Sequence, residues 1–97
     1  MTIEKALNGS QAEFKIAGWL DTKSSPQLEA ALEALEPDVT ALVLDLGQLE
    51  YISSAGLRQV VAAYKRMHGA LTLRHVSDDI RSVLRTTGLE KRLIIEP

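Results

Sequence analysis

The chain contains no cysteine. Disulfides, thiolate metal sites and cysteine nucleophiles are thereby excluded, and the absence suits a reducing cytoplasm. Aromatic residues are nearly as scarce. Phe14, Trp19, Tyr51 and Tyr64 are the full set, too few for base-stacking platforms, and the basic residues are scattered, so no nucleic-acid partner is expected. The longest apolar runs, such as Ala41 to Leu44, fall far short of the roughly 20 residues a membrane span needs. The opening Met1-Thr2-Ile3-Glu4-Lys5 lacks the basic-then-apolar order of a signal peptide. A cytoplasmic protein without membrane insertion is the expectation. His68 and His75 are the only histidines, and they form no pair with metal-ligand spacing. His-Glu-x-x-His, Walker and dinucleotide Gly-rich patterns are absent as well, so neither metal nor cofactor is anticipated.

What is present is an ordinary globular composition, 45% hydrophobic and 25% charged. Ninety-seven residues suit one domain over 1–97, able to bury roughly 60–70% of the surface its unfolded form exposes. The net charge is −2, but residues 1–50 carry nine acids and three bases, whereas residues 51–97 carry four acids and eight bases. Such polarity can steer a charged partner, although solvated helix faces that happen to differ are the simpler account.

Ile3 to Leu7 reads as a strand, and Asn8-Gly9 signals a hairpin. The returning strand alternates, with Ala12, Phe14, Ile16, Gly18 and Leu20 pointing one way and Glu13 and Lys15 the other. Asp21 to Ser25 is a polar loop, and Pro26 fits the first turn of a helix capped by Ser25. Leu28, Ala31, Leu32 and Leu35 form that helix's apolar stripe, and Pro37 stops it. Ala41 to Leu46 resembles a strand buried on both faces, ended by Gly47. Leu57, Val60, Val61 and Tyr64 mark a second helix, with Leu57, Val60 and Val61 inward, Arg58 and Gln59 outward, and Gly69 at the C-terminal cap. Leu71 and Leu73 mark a strand. Ser77 with Asp78 and Asp79 opens a third helix with Ile80, Val83 and Leu84 inward and Gly88 closing it. Leu93-Ile94-Ile95 ends the chain as a strand. The order β-β-α-β-α-β-α-β predicts an α/β fold with a mixed sheet, its later strands parallel and its helices mainly on one face.

The informative stretch runs from Val43-Leu44-Asp45-Leu46 through Leu49, Tyr51 and Ile52 to Ser53-Ser54-Ala55-Gly56-Leu57. A buried strand delivers two small hydroxyl residues to a helix N-terminus. In structural terms one serine is the cap, the other fills a turn, and Gly56 permits close packing. In functional terms one hydroxyl is a phosphate acceptor, since free N–H groups and the helix dipole tolerate an added dianion. Either serine with a histidine and Asp45 would make a hydrolase trio only if geometry united them. Trp19 is assigned to core or rim packing. Arg58, Lys65 and Arg66 read as a solvated face, with Arg58 kept as a docking candidate.

These residues resemble the STAS family, in which an apolar strand ends in a motif of the Asp-Ser-Ser-Gly-Leu type at the start of a helix. Gly18-Trp19-Leu20-Asp21-Thr22 is similar to the family's Gly-x-Leu-Asp loop, and Leu84-Arg85-Thr86-Thr87-Gly88-Leu89 to its closing Leu-x-x-x-Gly-Leu. The three pieces occur in the family's order and cover nearly the whole chain. The resemblance implies a STAS-like mixed sheet and an anti-sigma factor antagonist working by partner switching. The unmodified antagonist would bind an anti-sigma factor that is also a serine kinase. Phosphorylation would separate them, and a PP2C-type phosphatase would reset the antagonist.

Aligning on Gly56-Leu57 puts Ser54 at the acceptor position, with Ser53 as second choice. Asp21, Thr22, Ser53, Ser54, Ala55, Gly56 and Arg58 would meet the partner. The same resemblance leaves open a non-phosphorylated adaptor subunit of a lipid-transport complex. Two departures stand out: Ser53 replaces the usual aspartate, and the chain reaches Pro97 without the family's final helix. An uncovered apolar strip there would favour a weak homodimer.

Overall fold

In the computed structural model, residues 1–96 are described. The hairpin forms as expected between β1 (Thr2–Asn8) and β2 (Gln11–Leu20), paired antiparallel with Asn8 opposite Gln11. The connecting pair is Gly9-Ser10, one residue later than the Asn-Gly signal suggested, and Gly9 takes the left-handed backbone (φ 63°) that such a turn requires. Ala12, Phe14, Ile16 and Leu20 are buried while Lys15 and Trp19 are exposed, so the period of two sets which face of β2 meets the core.

Helix α1 (Ser25–Glu33) buries Leu28 and Leu32. Its cap position is Ser24, not Ser25. The Ser25 hydroxyl turns inward to donate to the Asp21 carbonyl at 2.6 Å and lies within the helix's first turn. Strand β3 (Ala41–Ile52) is the second correction, because Gly47 does not end it. Lys15 pairs with Asp45 but Ala17 with Gln48, so an extra residue is accommodated at Leu46-Gly47 as a bulge. A second shift between Gly18 and Trp19 follows, and the strand continues to Ile52. Leu42 to Leu46 are all buried, as expected, at the centre of the five-stranded sheet.

Helix α2 (Ser54–Arg66), strand β4 (Leu71–Arg74), helix α3 (Asp78–Thr86), a 3-10 turn at Leu89–Lys91 and strand β5 (Ile94–Ile95) complete the chain. β5 is shorter than expected, with Leu93 buried just ahead of it. The sheet order is β1-β2-β3-β4-β5, antiparallel only at the first pair. The helices share one hydrophobic cluster with the sheet, joining Leu28, Leu32, Val60, Ala63, Ile80 and Leu84 to Phe14, Ile16, Leu44 and Leu73. The register of α2 holds at its centre, where Val60 is fully buried. Leu57 and Val61 are only half-buried, and Gln59 is half-buried instead of exposed because it reaches across to Glu29 on α1.

Among the described residues, no helix lies on the opposite face. Glu4, Lys15, Asp45 and Arg74 fall in one row across four strands, and Arg74 lies 3.4 Å from Glu13 and 3.5 Å from Glu96. The expectation attached to Pro97 lies outside the described residues.

Candidate functional site

Strand β3 and helix α2 meet at Ser53, which sits in extended backbone (φ −93°, ψ 176°) as the cap of α2. Its hydroxyl accepts the Gly56 N–H at 3.2 Å, and its own N–H donates to the Leu20 carbonyl at 2.9 Å. Ser54 is the first helical residue and is exposed, and its hydroxyl has no hydrogen-bond partner among the described residues. The first turn of α2 contains no acidic residue. The two serines are therefore unequal: one hydroxyl closes the helix end and the other is free.

Gly56 is present for a packing reason. A Cβ there would lie 2.6 Å from the Leu20 carbonyl oxygen, 2.8 Å from Leu20 Cγ and 2.9 Å from Ile52 Cγ1, so only glycine lets α2 approach the end of β2 this closely. Gly56 is buried and Ala55 half-buried. Arg58 is exposed on α2.

The loop after β2 borders this helix start. Asp21 Oδ1 accepts from the backbone N–H groups of Ser24 and Lys23, both at 3.1 Å, and from the Ser24 hydroxyl at 3.0 Å. The Ser24 N–H above all, with the Ser24 hydroxyl and Lys23, holds the Asp21 carboxyl below the usual carboxylate range in spite of some desolvation. The Ser24 hydroxyl also lies 2.7 Å from the Trp19 carbonyl, so its single proton is shared between that oxygen and Asp21. Asp21 thus builds the turn into α1, and Thr22 at its tip is exposed. Together with Lys23 and Ser53, both residues line a shallow depression of about 380 Å³ whose remaining walls are Trp19 and Tyr51.

Those two aromatics are what sequence reasoning missed. Trp19 is 57% and Tyr51 46% exposed, with ring centroids 5.0 Å apart and planes tilted by 44°. Trp19 does not pack in the core. The signal was available in the strand period, since Trp19 is out of phase with Phe14, Ile16 and Leu20 and must lie on the helix-free face. Its pairing with Tyr51 depends on the two bulges of β3, which no local pattern announced.

The hydrolase trio is not assembled. His75 Nδ1 does lie 3.2 Å from Asp45 Oδ1, which also accepts the Gly47 N–H at 3.0 Å. Burial would raise the Asp45 carboxyl, but the Gly47 N–H and the His75 imidazole outweigh it and lower the carboxyl overall. Neither serine hydroxyl bonds a histidine among the described residues. No group of three or more His, Cys, Asp or Glu residues suited to a metal occurs among them. Nor is any of their helices long and apolar enough to cross a membrane.

The profile of the family described as "Mlab, STAS domain" matches residues 3–96. A curated relative from Bordetella bronchiseptica, "Putative anti-sigma factor antagonist BtrV", is 38% identical over 77 residues. The match takes in 75% of this chain and 66% of the relative, just under two thirds of that protein's length. Among solved structures, an anti-sigma factor antagonist from Mycobacterium paratuberculosis superposes with a TM-score of 0.87 at 26% identity, over 99% of this chain and 85% of that one. The Bacillus protein SpoIIAA in its unphosphorylated form gives 0.77 at 15% identity, over 99% and 88% of the two chains. At that identity the likeness to SpoIIAA is one of fold.

Proposed function

This chain belongs to the STAS family, and from that membership we propose that it acts as an anti-sigma factor antagonist, a phosphorylation-controlled binding switch and not a catalyst. The observation that carries the proposal is the division of roles between the two serines. The Ser53 hydroxyl is committed to the Gly56 N–H, while the Ser54 hydroxyl is exposed and unpartnered. A phosphate on Ser54 would stand at the positive end of α2, where no side chain opposes the helix dipole, and the fold would tolerate it. The same group on Ser53 would remove the cap. Ser54 is therefore our acceptor and Ser53 the second choice.

In its unmodified form the protein would bind a cytoplasmic anti-sigma factor that is also a serine kinase. The contact would use the Asp21-Thr22 loop and the exposed start of α2, with Arg58 at its rim. Transfer of the ATP γ-phosphoryl group to Ser54 adds about −1.5 to −2 charge at pH 7, enough to break an interface fitted to a neutral hydroxyl. A PP2C-type phosphatase would restore the binding form. Transcription would be regulated through the sigma factor so released.

Incubation with the cognate kinase and ATP, followed by peptide mass spectrometry, tests this. Label should appear on Ser54 and vanish in Ser54→Ala, which should still bind and resist release. Label on Ser53 alone would refute the assignment. Stable binding without any label would point instead to the adaptor of a transport complex.

A further inference from the structure

We infer that Trp19 and Tyr51 are the anchor of the partner interface, seating an aliphatic side chain of the bound protein against their two rings. This rests on the preceding reading, that a protein docks at the start of α2, and adds where its binding energy concentrates. Both rings are exposed and neither belongs to the hydrophobic cluster, so the fold does not use them. Isolated exposed apolar residues are commonplace, but a Trp–Tyr pair in contact beside a depression has the composition of an interface hot spot. Ser53 lines that same depression, and Ser54 is the next residue, so the pair is continuous with the switch.

The chemistry of the occupant follows from the lining. Asp21 and Lys23 contribute one charge of each sign, which leaves no net attraction for an ion, and the aromatic rings supply the contact area. An aliphatic anchor also fits the proposed control. A dianion on Ser54 next to a desolvated apolar contact would lose part of its hydration on binding, which opposes docking. A second copy of this chain is a poorer occupant. Covering the helix-free face further down would desolvate the charged row of Glu4, Lys15, Asp45 and Arg74.

Trp19 is the single tryptophan, so 5-fluorotryptophan incorporated there gives one fluorine resonance that reports on this spot alone. Titration with the unlabelled anti-sigma kinase should shift that resonance, and calorimetry should show Trp19→Ala and Tyr51→Ala each weakening binding by about 30-fold or more. Trp19→Phe should retain most of the affinity, and all three variants should melt as the wild type does. If the alanine variants bind like wild type and the resonance stays put while Ser54→Asp abolishes binding, the anchor is wrong and the switch stands. If the wild-type chain binds no anti-sigma factor, both fall. A resonance that shifts with protein concentration alone would place a second copy over the pair and overturn the inference.

Discussion

The starts of α2 and α3 are built alike and charged differently. Each is capped by a serine in extended backbone whose hydroxyl accepts an N–H three residues on, at 3.2 Å in both: Gly56 to Ser53, Ile80 to Ser77. After the cap, α3 continues with Asp78 and Asp79, which oppose the positive end of its dipole, while α2 continues with Ser54 and Ala55 and no acid. One helix end is electrostatically complete as translated. The other carries no acid in its first turn. A second difference lies at the residue that donates to the cap. Ile80 drives its side chain into the core, whereas Gly56 has no side chain because β2 occupies that space.

The largest expected effect tests whether α2 is anchored as described. Val60→Asp would place a carboxylate where the wild-type side chain is fully buried. An unpaired buried charge costs several kcal/mol against a total stability of about 5–15 kcal/mol. The variant should be unfolded by circular dichroism. The same change at half-buried Val83 of α3 should weaken the domain and leave it folded. A Val60→Asp protein with the wild-type melting temperature would mean that the helix register is wrong.

Alanine at the two cap-donating positions should destabilise for opposite reasons. Ile80→Ala opens a cavity and should cost about 2–5 kcal/mol. Gly56→Ala overpacks a contact with the Leu20 carbonyl and the side chains of Leu20 and Ile52, and should cost about 1–3 kcal/mol or more. Urea titrations separate the cases when serine is tried as well. Ile80→Ser should be worse than Ile80→Ala because the cavity gains a hydroxyl, while Gly56→Ser should resemble Gly56→Ala because both place a Cβ against the same carbonyl. A Gly56→Ala protein as stable as wild type would show that α2 can withdraw from β2.

Removing the caps themselves should matter less. Ser53→Ala and Ser77→Ala should each cost about 0.5–2 kcal/mol. The loss should be greater at Ser53, since Asp78 and Asp79 still stabilise the start of α3 when its cap is gone. Equal losses would indicate that those carboxylates contribute little.

Much of this arrangement is legible in the sequence alone. The period of two in β2 and the apolar run of β3 identified the sheet's central strands, and the spacing of Leu28, Val60 and Leu84 with their neighbours identified the helices that cover one face. What escaped were features set by contacts between distant segments. Gly47 looked like a strand end because glycine usually is one, yet pairing with β2 carries the strand through it as a bulge. Ser25 looked like a cap from its place before Pro26, but the turn built on Asp21 starts the helix one residue earlier and buries it. At the junction of β3 and α2, spacing could bring two serines to a helix start but could not rank them. The ranking by availability comes from a single hydrogen bond, from the Gly56 N–H to Ser53.

The smallest predicted effect probes the bare helix end most directly. Ser54→Asp places a carboxylate at the first residue of α2, where the dipole is unopposed. An acid in that position stabilises by about 0.3–1 kcal/mol at low ionic strength, which for a domain of this size raises the melting temperature by a few degrees, about 4–8 °C per kcal/mol. The gain should shrink in high salt, because an exposed charge is screened there. Adding an acid to α3 should give less, because Asp78 and Asp79 already oppose its dipole, and Asp78→Asn should lower stability by a similar amount. The Ser54→Asp domain should therefore be slightly more stable than wild type while losing affinity for the anti-sigma kinase. Opposite movement of stability and binding is the signature of a charge that suits the fold and offends the interface. If Ser54→Asp instead lowers the melting temperature and its binding loss tracks that unfolding, the free hydroxyl is part of the structure, and the two helix ends differ less than their geometry suggests.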